Sequence, residues 1–192
     1  MVKEDYTTAH PWQKTPSDER KLGLIMVNTG PGKGKTTAAL GLALRAIGHN
    51  QKVKIIQFMK GDRNFGELLL AQRFPELDIT QYGLDRFVDP KNPEPAQIEK
   101  AAEGFAAARR AVLGGEYAVV ILDEANVAMA FGLISTGEVV ELLRSKPKHV
   151  EVILTGRDAP AEIIALADYV NEIRDVKHPY QAKIPARVGI EF

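Results

Sequence analysis

The chain has 192 residues, 45% hydrophobic and 26% charged, enough for one compact domain with a full core and unlike any disordered, collagen-like or low-complexity chain. Lys plus Arg and Asp plus Glu number 25 each, so no general affinity for nucleic acid or an anionic membrane is expected, and any anion must be held locally. The lack of cysteine removes disulfides, zinc-thiolate centres, iron-sulfur clusters and thiol nucleophiles together.

Residues 1–21 mix charge and proline with one tryptophan, Trp12, and show no helical or alternating apolar period. They are expected to form a tail, or a lid if Trp12 anchors them to a surface, ahead of a single domain over 22–192. With neither an apolar leader nor a stretch long enough to span a bilayer, the expected location is the cytoplasm.

From Leu22 onward, short runs rich in aliphatic and β-branched residues alternate with helical patterns. The strand-like runs are LGLIMVN, VKIIQF at Val53 to Phe58, a weaker DITQY around Ile79, EYAVVIL at Glu116 to Leu122, VEVILT at Val150 to Thr155, and DYVNEI around Val170. Between them, helices are predicted at Thr36 to Ile47, Glu67 to Phe74, Pro95 to Leu113, Thr136 to Arg144 and Pro160 to Ala167. The alanine-rich member lacks sustained heptads, so ordinary helix packing is expected of it rather than a coiled coil. Three prolines between Asp89 and Pro95 make that stretch a loop. The alternation implies right-handed crossovers and an α/β fold, with a mostly parallel central sheet and helices on both faces.

Between the first run and the first helix stands Thr29-Gly30-Pro31-Gly32-Lys33-Gly34-Lys35-Thr36-Thr37. Glycines let successive N–H groups point into one concavity, the helix start adds its positive dipole end, and Lys35 adds a point charge. Thr36 can place its hydroxyl on a magnesium ion. The general phosphate-loop pattern wants glycine where this chain has Thr29, so the loop is a variant, and Thr29 joins residues 30–37 as a candidate nucleotide contact. In this context the fold class becomes a three-layer P-loop fold of the RecA-like kind. Asp123 and Glu124 end a very apolar run, at the sheet edge where ligands bind, and two carboxylates there suit magnesium. Asp123 alone is also a candidate helix N-cap. Arg157 follows the next run, where its planar fork can clamp phosphate, and Arg45 in the loop's helix is a weaker candidate. His49, His149 and His178 have no partner at metal-ligand spacing, and no nucleophile elbow is present.

Several segments together, TGPGKGKTTAALGLALRAIGH, VKIIQFMKG with Gly66 and Glu67, VVILDE, VILTGRDAP and the ending ADYVNEIRDVKHPYQAKIPARVGIEF, closely resemble the P-loop type of ATP:corrinoid adenosyltransferase. The resemblance covers nearly everything from Leu24 to Phe192. It implies transfer of the 5′-deoxyadenosyl group of ATP to the Co(I) of a reduced corrinoid, with triphosphate released. It implies a nucleotide reversed relative to ordinary P-loop enzymes, with residues 30–37 holding the phosphates, Lys35 and Thr36 in their usual roles, Thr36 and Glu124 on magnesium, and Asp123 in support. Arg45 and Arg157 carry over more weakly to the nucleotide. The resemblance further implies a homodimer, an electron-donating flavoprotein partner, and aromatic residues after the third strand that expel the lower axial ligand of Co(II). Here that loop reads Tyr82-Gly83-Leu84-Asp85-Arg86-Phe87, which departs from the expected pair of aromatics; Phe87 is the first candidate and Tyr82 the second. The competing readings are a RecA-like ATPase, in which Glu124 polarises water toward the γ-phosphate, and a non-catalytic carrier of nucleotide or corrinoid.

Overall fold

The computed structural model describes residues 22–62 and 64–192, so the expected tail or lid over 1–21, with Trp12, lies outside the described residues. In chain order the elements are β1 (Ile25–Thr29), α1 (Lys35–Ile47), β2 (Val53–Phe58), α2 (Gly66–Ala71), β3 (Leu77–Tyr82), α3 (Pro95–Gly114), β4 (Val119–Asp123), α4 (Ala125–Ala130), α5 (Thr136–Arg144), β5 (Glu151–Thr155), α6 (Ala161–Leu166) and β6 (Tyr169–Glu172). A 3-10 turn over Pro179–Ala182 follows.

The six strands among the described residues all run parallel, in the order β3-β2-β4-β5-β1-β6. β1, β2 and β4 are buried along their whole length because helices cover both faces, which is why their sequences read as unbroken apolar runs. Alternate residues divide between two cores. Met26, Ile55, Ile121 and Ile153 pack with Ala39, Ala43 and Ile47 of α1 and with partly buried Leu70 and Ala71 of α2. Val27, Ile56, Leu122 and Leu154 pack with residues of α3, α4, α5 and α6. The result is the three-layer arrangement the alternation predicts.

α3 starts at a capping box, in which Glu94 accepts from the backbone of Gln97 and the Gln97 side chain accepts from the backbone N–H of Glu94; Pro95 occupies the first turn. Its buried face is mostly alanine, with Gly104 and Val112, so the helix lies close on the sheet. α4, between Asp123 and the predicted helix at Thr136, is only six residues long and gives no periodic signal. No described helix is long and apolar enough to cross a membrane.

Candidate active site

The loop between β1 and α1 is shaped by close approach to the backbone after β6. Gly32 N–H donates to the Ile173 carbonyl at 2.7 Å, and a Cβ on Gly32 would stand 2.6 Å from the Arg174 carbonyl. Gly30 has φ of 94°, and a Cβ there would meet Ile173 O at 2.6 Å, so glycine is required on both counts. Lys35 folds back over the loop, its Nζ donating to Gly30 O at 2.9 Å and Gly32 O at 2.6 Å. Burial lowers its pKa, while the nearby Glu124 pulls the other way.

Asp123 is fully buried and gathers donors from three elements and one loop. Its Oδ1 accepts from Thr36 Oγ1 at 2.8 Å and from Thr155 Oγ1 at 2.7 Å. Its Oδ2 accepts from Lys60 Nζ at 2.7 Å and Gln57 Nε2 at 3.2 Å. The side chain therefore faces the loop and caps no helix. Glu124 occupies that capping position instead, with φ of 60° and no side-chain cap bond; its backbone N–H donates to Thr155 Oγ1 at 3.0 Å. A non-glycine residue in this left-handed region is uncommon and is held here by its neighbours. Burial and the adjacent Asp123 push the Glu124 carboxyl above the usual carboxylate range, with Lys60, Lys35 and Arg157 opposing.

Lys60, Gln57 and Thr155 carry no role in the sequence-based assignment, yet all three touch Asp123. The parallel register sets Gln57 of β2 beside Asp123, and β5 brings Thr155 to its other side. The one visible hint is a glutamine inside the apolar run VKIIQF. Gln57 also donates to Glu67 Oε1 at 2.9 Å. Burial opposes the charge on Lys60, but Asp123, by charge and hydrogen bond, outweighs it and holds the lysine pKa above its ordinary value.

A groove of about 480 Å³ runs past Lys33, Gly34, Lys35, Thr36, Thr37 and Glu124, and Lys60 and Glu67 also line it. The C-terminal residues form one wall, with Lys33 Nζ 3.3 Å from Glu191 and 3.4 Å from Ile190 O. Arg157 is exposed at the same edge and close enough to act on the charges of Lys35 and Glu124. Pro31 is exposed on the loop.

Three candidates sit elsewhere than expected. Thr29, read as a nucleotide contact, is buried at the end of β1, and its hydroxyl accepts from Ala159 N–H at 3.3 Å; the off-pattern residue fastens the loop to the turn after β5. Arg45 lies toward the C-terminal end of α1, in a hollow of about 570 Å³ with His49, His149 and Glu151. Helical rise carries it about 15 Å from Lys35, so this chain does not bring it to the loop. Tyr82 packs against α3, where a Cβ on Gly104 would meet its Cβ at 2.8 Å. Phe87, by contrast, has a fully exposed ring, while its backbone carbonyl accepts from the buried Gln97 at 3.2 Å.

Among the described residues no three His, Cys, Asp or Glu side chains cluster as a self-sufficient metal cage. Thr36 Oγ1 on Asp123, with Glu124 lining the same groove, nevertheless fits magnesium, which takes one or two carboxylates and completes its shell with water and phosphate.

The profile of the family described as ATP:corrinoid adenosyltransferase BtuR/CobO/CobP matches residues 21–192. A corrinoid adenosyltransferase of Escherichia coli (strain K12) is 39% identical over 176 residues, covering 91% of this chain and 87% of the relative. One from Pseudomonas aeruginosa is 35% identical over 176 residues, covering 91% and 85%, and one from Sinorhizobium sp is 37% identical over 184 residues, covering 93% and 83%.

Proposed function

The chain belongs to the ATP:corrinoid adenosyltransferase family and is such an enzyme, and from that premise we propose that it joins C5′ of ATP to the Co(I) of a reduced corrinoid and releases triphosphate. The cobalt lone pair forms the Co–C5′ bond as the C5′–O bond breaks, and the bonding pair leaves on the triphosphate oxygen. Because Co(I) is itself the nucleophile, no side chain has to remove a proton. The protein's contribution is to align C5′ with cobalt and to stabilise charge on the leaving group.

In this reading residues 30–37 hold the triphosphate, and Lys35 exchanges its bonds to Gly30 O and Gly32 O for phosphate oxygens. Magnesium, when bound, neutralises part of the triphosphate charge; Thr36, Glu124 and Asp123 are the residues that would hold it. Arg157 approaches the nucleotide from the end of β5. Phe87, held at its backbone but free at its ring, expels the lower ligand of Co(II) so that a flavoprotein can reduce it. Tyr82 supports that loop from the sheet. We further propose a cytoplasmic homodimer with 22–192 as the catalytic domain, residues 1–21 keeping both readings, tail or lid, that their sequence allows.

The observation that carries the reading is that the family match covers the residues that build the site, from the phosphate loop to the C-terminal wall of the groove. Incubating the protein with ATP and chemically reduced cobalamin tests it: the light-sensitive absorption of a cobalt-carbon bond must appear with enzyme and not without.

A further inference from the structure

Lys60 follows the end of β2 and lines the groove together with residues 33–37 and Glu124. Its side chain is 18% exposed, with Nζ 2.7 Å from Asp123 Oδ2 and 3.9 Å from Glu67 Oε1. An ammonium has three donors, and among the described residues Asp123 accepts the only hydrogen bond that Lys60 makes. Asp123 in turn already receives neutral donors from Thr36, Thr155 and Gln57. The lysine thus carries unused donors and a full charge beside the phosphate loop. A second contact holds the same ammonium 5.1 Å from the centre of the Phe65 ring, a favourable but weak attraction.

The backbone around Lys60 is fixed, so only the side chain has room to respond. Met59 N–H donates to Tyr82 O at 3.1 Å, and a Cβ on Gly61 would stand 2.8 Å from the backbone of Leu84. A Cβ on Gly83 would collide with the backbone of Met59 and Lys60. A polyanion arriving at residues 30–37 would therefore meet a rooted cation on a flexible stem, which is how lysine differs from arginine as a phosphate partner.

We propose that Lys60 is a second triphosphate-binding cation, standing apart from Lys35 and stabilising the charge that builds on the leaving phosphate chain. This rests on the adenosyl-transfer reading above. A cation placed where charge develops accelerates the reaction more than it tightens ground-state binding, so its loss should fall more heavily on kcat than on KM for ATP.

The test is calorimetric binding of inorganic tripolyphosphate to the full chain without corrinoid, together with steady-state kinetics. Lys60→Met should weaken tripolyphosphate at least about tenfold and lower kcat by a larger factor, Lys60→Arg should recover part of both, and Lys52→Met, at an exposed pair with Glu116, should change neither. Lys60→Met leaves a buried carboxylate without its cation, so the comparison is repeated between Asp123→Asn and Asp123→Asn with Lys60→Met. The loss of tripolyphosphate binding must persist there. If it vanishes in that background, or if Lys60→Met binds tripolyphosphate like the wild type, Lys60 only neutralises Asp123 and the inference is overturned. A wild type that binds neither tripolyphosphate nor ATP would instead overturn the reading of the loop, and this inference with it.

Discussion

The hydroxyl of Thr36 donates to Oδ1 of Asp123 at 2.8 Å, joining the first turn of α1 to the end of β4. Thr155 reaches the same oxygen, so removing the Thr36 hydroxyl leaves Asp123 still partnered by Thr155, Gln57 and Lys60. Thr36→Ala should therefore keep its fold while lowering adenosylation at least about tenfold, and Lys35→Ala should do the same by removing charge from the loop. Melting curves recorded beside the kinetics check the pair; an active Lys35→Ala would remove the loop from the mechanism.

Glu124 couples stability to function with opposite signs. Burial, reinforced by Asp123, raises its folded pKa above the unfolded value, so its ionisation opposes folding. That cost is absent below the unfolded pKa, grows as pH rises, and is complete above the folded pKa. Glu124→Gln should raise the melting temperature of the ligand-free protein at about pH 8, with the gain shrinking toward about pH 4. The same variant should lose at least about tenfold in activity, partly relieved by more magnesium. A lower melting temperature than wild type at the higher pH would contradict the burial account.

Thr29 predicts the reverse separation. Restoring the glycine of the general pattern, Thr29→Gly, removes the hydroxyl that accepts from Ala159 N–H. It should cost about 1–2 kcal/mol of stability through that bond and added backbone freedom. ATP affinity, measured calorimetrically, should stay within about twofold, because the side chain faces the turn after β5 and not the groove. A large loss of affinity would return Thr29 to the nucleotide contacts.

The parts of the site legible in the sequence are those whose chemistry is local. A glycine-rich turn ending in Lys35 and Thr36, and an acidic pair closing an apolar run, declare themselves because each function needs only neighbours in the chain. Strands buried on both faces were equally visible, and even the weak DITQY run proved to be β3. Gln57, Lys60 and Thr155 could not be assigned because their roles arise from the strand order, which sets β2 and β5 on either side of β4. The C-terminal wall was hidden for the related reason that residues 173–192 carry no strand or α-helix and act by lying against the loop. Arg45 differs, since helical rise alone separates it from the phosphate loop, and chain geometry could have set it aside.

Phe87 offers a test that depends on the reductant. Its ring is fully exposed, so Phe87→Ala should leave the fold and ATP binding unchanged. If the ring expels the lower ligand of Co(II), the variant should be nearly inactive with a flavoprotein donor, yet recover much of its activity when a strong chemical reductant supplies Co(I) directly. Equal losses under both reductants would mean that Phe87 shapes the pocket in general.

The most direct measurement of the central claim is phosphorus NMR of the products formed from ATP and chemically reduced corrinoid. Adenosyl transfer predicts triphosphate appearing in step with the cobalt-carbon bond, with no build-up of inorganic phosphate or ADP during the first turnover. ADP and inorganic phosphate formed at the same rate with or without corrinoid would contradict it, and would make the loop, Glu124 and the bound metal the parts of an ATPase.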